Sequence, residues 1–69
     1  MADNKRDPRR TPAVGDVIMS GDRRVRRTVD KIRGGRVIYN DGAGSKDCDV
    51  ASWQRWCRDR SAKIVKRAP

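Results

Sequence analysis

The feature that most constrains the fold of this chain is the glycine pair Gly34-Gly35, which separates two β-prone segments, residues 23–33 and 36–40. Because glycine accepts positive φ, such a pair fits the two-residue turn of a β-hairpin. Both segments mix β-branched residues with basic ones, and successive residues of a strand face opposite sides. Residues 23–40 are therefore predicted to form a hairpin with an apolar face and a basic face.

The apolar spacing in the first of these segments requires an irregularity. Val25 and Val29 lie four residues apart, but Ile32 follows Val29 by three, which breaks the period of two of a regular strand. A β-bulge at Asp30-Lys31 would return Ile32 to the core face. The same spacing also fits an amphipathic helix. The β-branched side chains and the glycine pair favour the strand.

The remaining strands are short and follow one another in meander order. Residues 17–19 are predicted to form the first strand, residues 45–50 the fourth and residues 62–66 the fifth, with Gly and Asp in the intervening turns. Glycine and aspartate favour turns because they tolerate or locally stabilise turn conformations. All nine acidic residues are Asp and none is Glu, which fits a mainly β chain because Glu favours helices.

A change of pattern at residues 51–58 predicts one or two turns of helix, with Asp49 or Ser52 as the cap. Trp53 and Trp56 are three residues apart, so their side chains are about 60° apart around the helix axis. We expect Trp53 in the core and Trp56 on the surface as a candidate stacking platform. The alternative is that both rings plug one end of the fold.

The two ends of the chain carry no apolar periodicity. Residues 1–12 hold two prolines and charges of alternating sign, so they are predicted to form a disordered basic arm. Residues 67–69 are predicted to be a tail. The folded part, residues 13–66, is long enough for one small domain with a modest core.

Charge points to the class of partner. The chain has 18 basic and 9 acidic residues, for a net charge of +9. Residues 22–36 hold seven basic and two acidic groups, and residues 55–67 hold six basic and one acidic. Arginine-rich blocks favour nucleic acid, because guanidinium groups grip phosphates in bidentate fashion. An acidic protein is the alternative partner, and a membrane is not expected without a long apolar helix face.

Enzymatic chemistry is not expected. The sequence has no histidine and no glutamate, and no Ser or Cys has an evident base partner. Asp47 and Asp49 share a predicted strand face, where a solvated surface is a better interpretation than a metal site. Cys48 and Cys57 are expected to be reduced thiols of a cytosolic protein that act as small apolar residues. No metal, cofactor or small-molecule substrate is predicted.

The order of elements resembles that of small SH3-like barrels. The run PAVGDVI resembles the first strand of Tudor-like and KOW-like members, and TVDKIRGGRVIYN resembles their second hairpin with its V-x-x-I bulge, glycine turn and V-x-Y strand. The resemblance covers residues 12–65 and implies a five-stranded barrel with a short helical turn before the last strand. Such barrels bind RNA, DNA, ribosomal components, polymerase or peptides. The short, arginine-rich chain also resembles small phage or mobile-element accessory proteins.

In such a barrel the last strand lies near the first strands, so the two basic blocks are expected to merge into one binding face with weak sequence preference. The predicted nucleic-acid-binding residues are Arg23, Arg24, Arg26, Arg27, Lys31, Arg33, Arg36, Arg55, Trp56, Arg58, Lys63 and Lys66.

Overall fold

A computed structural model describes residues 6–69. Within this range it contains the five predicted strands and the predicted helix, which are β1 (Val17–Met19), β2 (Arg26–Arg33), β3 (Arg36–Asn40), β4 (Ser45–Asp49), α1 (Val50–Asp59) and β5 (Lys63–Lys66). The strands form one antiparallel sheet in the order β4-β3-β2-β1-β5. The chain is thus mainly β with one short helix, as predicted, and β4 and β5 are the two edges of this sheet.

The glycine pair forms the turn between β2 and β3. Gly34 and Gly35 have φ of 52° and 80°, and Arg33 pairs directly with Arg36 across the turn. Positive φ at both central residues is the signature of a type I′ hairpin, whose twist matches that of the flanking strands. The predicted hairpin is therefore confirmed.

The predicted bulge is also present. The pairing passes from Val29 opposite Tyr39 to Lys31 opposite Ile38, which leaves Asp30 without a partner in the ladder. Residue Ile32 then pairs with Val37 and returns to the apolar side of the sheet, although 37% of its surface remains exposed near the turn. One extra residue in β2 thus reconciles the three-residue spacing with a strand.

The register defines two faces of the sheet, because residues paired across neighbouring strands lie on the same face. We call the side that carries the buried residues Ile18, Val29, Val37 and Tyr39 the inner face, and the opposite side the outer face. Helix α1 covers the inner face and contributes Trp53 and Cys57 to the same core. No helix in residues 6–69 has the length and apolar character needed to cross a membrane.

Helix α1 begins where the sequence predicted. Asp49 is the N-cap, and its side chain accepts a hydrogen bond from the Ser52 amide at 2.7 Å. This bond satisfies one of the amide groups that a helix start leaves unpaired. Trp53, which is fully buried, packs edge-on against Tyr39 with a centroid distance of 5.6 Å. The core position predicted for Trp53 is confirmed.

Residues 6–12 differ from the expected disordered arm. Pro8 is buried, and its carbonyl accepts a 2.9 Å hydrogen bond from the indole Nε1 of Trp53. The Arg10 carbonyl accepts another from Gln54 at 2.8 Å. A buried indole N–H needs an acceptor, and this segment supplies it. Residues 1–5 of the predicted arm lie outside the described residues.

A buried carboxylate connects the two ends of the described chain. Asp16 has no exposed surface, and it accepts two hydrogen bonds from Arg6, at 2.6 and 2.9 Å. The amides of Ala13 and Ala68 donate to the same carboxylate, each at 2.7 Å. Ala68 is itself buried, in contrast to the tail predicted for residues 67–69. We call these four residues the Asp16 cluster.

The hydrogen bonds of the Asp16 cluster set its charge state. Burial raises the pKa of Asp16, but the bonds from Arg6 and from the Ala68 and Ala13 amides outweigh burial and lower the pKa below its ordinary value. The carboxylate is therefore ionised at neutral pH and remains a strong acceptor for both chain ends.

Candidate nucleic-acid interface

Strand β1 brings the two basic blocks of the sequence together on the outer face. Met19 pairs with Arg26 of β2 on one side and with Lys63 of β5 on the other. Neighbouring strands are about 4.8 Å apart, so the backbones of Arg26 and Lys63 are separated by about 10 Å. In the adjacent row, Val17 pairs with Lys66 of β5. The expected approach of the last strand to the first hairpin is therefore present in the sheet.

The bulge decides which side of β2 the remaining cations occupy. Lys31 lies opposite Ile38, and Arg33 lies opposite Arg36. Because Asp30 is the extra residue, both cations have the same orientation as Arg26. Arg26, Lys31 and Arg33 thus form one patch on the outer face.

The β4 edge of the outer face has the opposite sign of charge. Asp47 lies opposite Ile38, and Asp49 lies opposite Arg36. The guanidinium of Arg36 forms an exposed ion pair with Asp47 at 3.0 Å. Arg36 is therefore neutralised by a neighbour, and the uncompensated charge lies on β2 and β5.

We define the basic face as the outer-face cations that are exposed and have no hydrogen-bond or ion-pair partner for their side chains within residues 6–69. Its members are Arg26, Lys31, Arg33, Lys63 and Lys66. The half-buried apolar residues Val17 and Met19 lie between them on β1, and Ile38 lies beside Lys31 on β3. Exposed cations beside an apolar strip can contact phosphates and the sugars between them.

Seven of the twelve predicted site residues do not join this face: three on the helix, two in a turn, and Arg27 and Arg36. Arg55, Trp56 and Arg58 belong to α1, which covers the inner face, so the helix places them on the other side of the sheet. Arg23 and Arg24 lie in the exposed turn before β2. They are next to the Arg26 end of the basic face in sequence but outside the strand ladder.

Arg27 is a predicted site residue that the fold uses differently. It pairs with Ile18 and so lies on the inner face. Its guanidinium carbon is 4.2 Å from the ring centroid of Tyr39, 3.8 Å from that of Trp56 and 5.6 Å from that of Trp53. These distances are those of cation–π contacts. The Arg27 Nε is buried and has no hydrogen-bond partner within the described residues.

The Arg27 stack also changes the interpretation of Trp56. Its ring is half-buried and packs on the guanidinium of Arg27, so one ring face is not available to a base. The signal that could have found this arrangement is the alternation of the strand, since Arg27 lies two residues before Val29, on the same side. Sequence reasoning grouped Arg27 with its basic neighbours instead.

The environment of both thiols favours their protonated form. Burial raises the pKa of Cys57 to about 11, and burial also raises the pKa of Cys48. Both cysteines are free of disulfides. A thiol whose pKa lies well above 7 is protonated at neutral pH. The thiolate, which is the form that acts as nucleophile and metal ligand, is then scarce. Within residues 6–69, no three potential ligands among His, Cys, Asp and Glu lie close enough to hold a metal ion.

Comparison with known proteins gives no family for this chain. No protein-family model, curated protein sequence or solved structure matches it.

Proposed function

We propose that the protein is a small non-enzymatic nucleic-acid-binding module that contacts the phosphate backbone through the basic face. The observation that carries this proposal is the pairing of Met19 with both Arg26 and Lys63, which unites two basic blocks that are far apart in sequence. Neutralising phosphates releases condensed counterions, and this release drives binding that is independent of sequence.

The chemistry of the basic face favours contacts to the backbone over reading of bases. The three aromatic residues of the chain, Tyr39, Trp53 and Trp56, lie in or against the inner core. The outer face therefore has no ring on which a base could stack. Lysine and arginine side chains without fixed partners can contact phosphate oxygens at many positions along a nucleic-acid backbone. We infer weak sequence preference.

We also propose that the sheet is curled into a small SH3-like barrel. The support is the order of pairing, in which β5 returns to β1 directly after the helix. Register shifts at Val17-Ile18 and at Asp30 support strong curvature, because bulges bend a strand and increase its twist.

The test compares two double variants with the same change in charge. Arg26→Glu with Lys66→Glu alters the basic face, and Arg55→Glu with Arg58→Glu alters the helix on the other side. Affinity for single- and double-stranded DNA and RNA with 5′-hydroxyl ends is measured by fluorescence anisotropy at several salt concentrations. We expect strong loss of binding for the first variant and near-normal binding for the second, with melting curves showing that both fold.

The salt dependence gives a second readout from the same titrations. The slope of log K against log salt is expected to become less steep by about 0.9 for each phosphate of duplex DNA that the variant no longer neutralises. Equal weakening in both variants would show that net charge alone drives binding, and normal binding by the Arg26 and Lys66 variant would refute the proposed face. Retention of an acidic protein on the same face after nuclease treatment would instead support the protein-interaction alternative.

A further inference from the structure

A concave site lies between residues 6–12 and the C-terminal end of α1, and no residue of β2 lines it. This groove has a volume of about 460 Å³, which is within the range of about 300–1,000 Å³ for small-ligand pockets. Its walls come from Asp7, Arg9 and Arg10 on one side and from α1 and the start of β5 on the other. The groove exists because residues 6–12 pack against the helix.

The walls of the groove have an excess of unpaired positive charge. Arg10, Arg58 and Lys63 line it, and none of their side chains has a hydrogen-bond or ion-pair partner within residues 6–69. The one acidic wall residue, Asp7, is already bonded to Arg9 at 3.0 Å. Arg9 also donates to the Ala62 carbonyl at 3.2 Å. Three cations without a matching anion therefore line the cavity.

The floor of the groove is apolar, and its backbone acceptors are occupied. Cys57 and Ala62 are buried there. The Cys57 carbonyl at the end of α1 accepts from the Ala62 amide at 2.8 Å, and the Arg58 carbonyl accepts from the Ser61 amide at 3.2 Å. With these oxygens paired, the negative end of the helix opposes an anion less strongly.

We propose that this groove binds a phosphate monoester. A monoester carries a charge of about −1.5 to −2 at pH 7, because its second pKa is about 6, so it matches several cations better than a singly charged diester does. Its organic part has one point of attachment and can lie on the Cys57 and Ala62 floor. The three cations Arg10, Arg58 and Lys63 surround the phosphate.

Two sources present this group, a nucleoside monophosphate and the 5′-phosphorylated end of a nucleic acid. Lys63 belongs both to this groove and to the basic face, so a strand on the basic face can end in the groove. The nucleic-acid source rests on the proposed function, whereas the monoester site itself does not.

The test is a two-dimensional proton–nitrogen NMR titration with inorganic phosphate, a nucleoside 5′-monophosphate and the parent nucleoside. We expect the first two to shift the amides of Arg10, Arg58 and Ser61, and the nucleoside to have no effect. Arg10→Gln with Arg58→Gln is expected to weaken monophosphate binding by about tenfold or more, because bonds to charged groups contribute strongly. Arg55→Gln, on the same helix but outside the groove, is the control and should change affinity by less than about twofold.

The source is assigned by oligonucleotides that differ only in a 5′-phosphate or a 5′-hydroxyl. A preference for the phosphorylated end that requires Arg10 and Arg58 supports the nucleic-acid source, and monophosphate binding without such a preference supports the nucleotide source. Equal binding of nucleoside and monophosphate, or binding that survives the Arg10 and Arg58 variant, overturns the site. Monophosphate binding without any binding of 5′-hydroxyl oligonucleotides would refute the proposed function but would still support the phosphate monoester site in the groove.

Discussion

Arg26 and Arg27 are neighbours in the chain, yet they lie on opposite faces of the sheet. Arg26 is exposed on the outer face and has no partner for its side chain within the described residues, whereas Arg27 packs between the rings of Tyr39 and Trp56. The alternation of a strand assigns one arginine to solvent and the other to the core. A high content of arginine therefore does not translate directly into a binding surface.

The same contrast separates two aspartate–arginine pairs. Asp16 has no exposed side-chain surface and bonds to Arg6, whereas Asp47 is 55% exposed and bonds to Arg36. Opposite charges meet in both, but the cost of removing one partner differs. A buried charge that loses its partner cannot recover hydrogen bonds from water, and an exposed one can.

The largest expected effect follows from breaking the buried pair. Asp16→Ala is expected to reduce the free energy of unfolding by about 3–5 kcal/mol, because the amides of Ala13 and Ala68 lose their acceptor. Arg6 keeps only its bonds to the carbonyls of Thr11 and Ala68. A chain of this length has a total stability of about 3–10 kcal/mol, so the variant approaches unfolding. Asp47→Ala is the matched control and should have little effect. Urea denaturation followed by tryptophan fluorescence measures both.

Acid should remove this difference between the variant and the parent protein. The pKa of Asp16 is lowered in the folded state, so its stabilisation is present above the unfolded pKa of about 3.9 and is lost as pH falls through the folded pKa. The parent protein should therefore converge with Asp16→Ala in acid. If Asp47→Ala costs as much as Asp16→Ala at neutral pH, burial does not distinguish the two pairs.

Local sequence patterns predicted the strands, the helix and the turns of the fold, but they did not predict its long-range contacts. The glycine turn, the Asp30 bulge and the Asp49 cap each depend on residues close together in sequence, which explains why they could be anticipated. The bond from Arg6 to Asp16 spans 10 residues and that from Ala68 to Asp16 spans 52. No local pattern reports such contacts, so residues 6–12 looked like a free arm.

The candidate site was predictable to the same extent. Strand alternation and the bulge identify Arg26, Lys31 and Arg33 as one group, and the position of β5 beside β1 adds Lys63. The helical residues Arg55 and Arg58 were grouped with them by charge alone. Which face of the sheet a helix covers depends on how the helix packs against the whole sheet. Separation along the sequence does not predict that face.

An intermediate effect is expected from the Arg27 stack. Arg27→Ala should destabilise the protein by about 1–2 kcal/mol, since it removes cation–π contacts and the packing of the aliphatic stem between two rings. It should also change the fluorescence of Trp56, which loses its stacking partner. Arg26→Ala should leave stability unchanged and weaken nucleic-acid binding. The opposite pattern, with Arg26 needed for stability, would contradict the assignment of the two faces.

A small effect on stability is expected from removing the bulge. Deleting Asp30 or deleting Lys31 each gives β2 a regular period of two, and in both proteins Ile32 stays opposite Val37 on the inner face. Because a one-residue change at the bulge restores alternation, the two deletions should cost similar amounts, about 1 kcal/mol or less each. Thermal melts of the two proteins measure this similarity.

The two deletions differ in what they present to the outer face. Without Asp30 the position opposite Ile38 keeps Lys31, and without Lys31 the same position receives Asp30. Two proteins with matched backbones thus differ by two units of charge at one point. The protein without Lys31 should bind DNA more weakly, with a salt slope less steep by about 0.9, while the protein without Asp30 keeps the full slope. Unfolding of either protein would show that the fold requires the bulge itself.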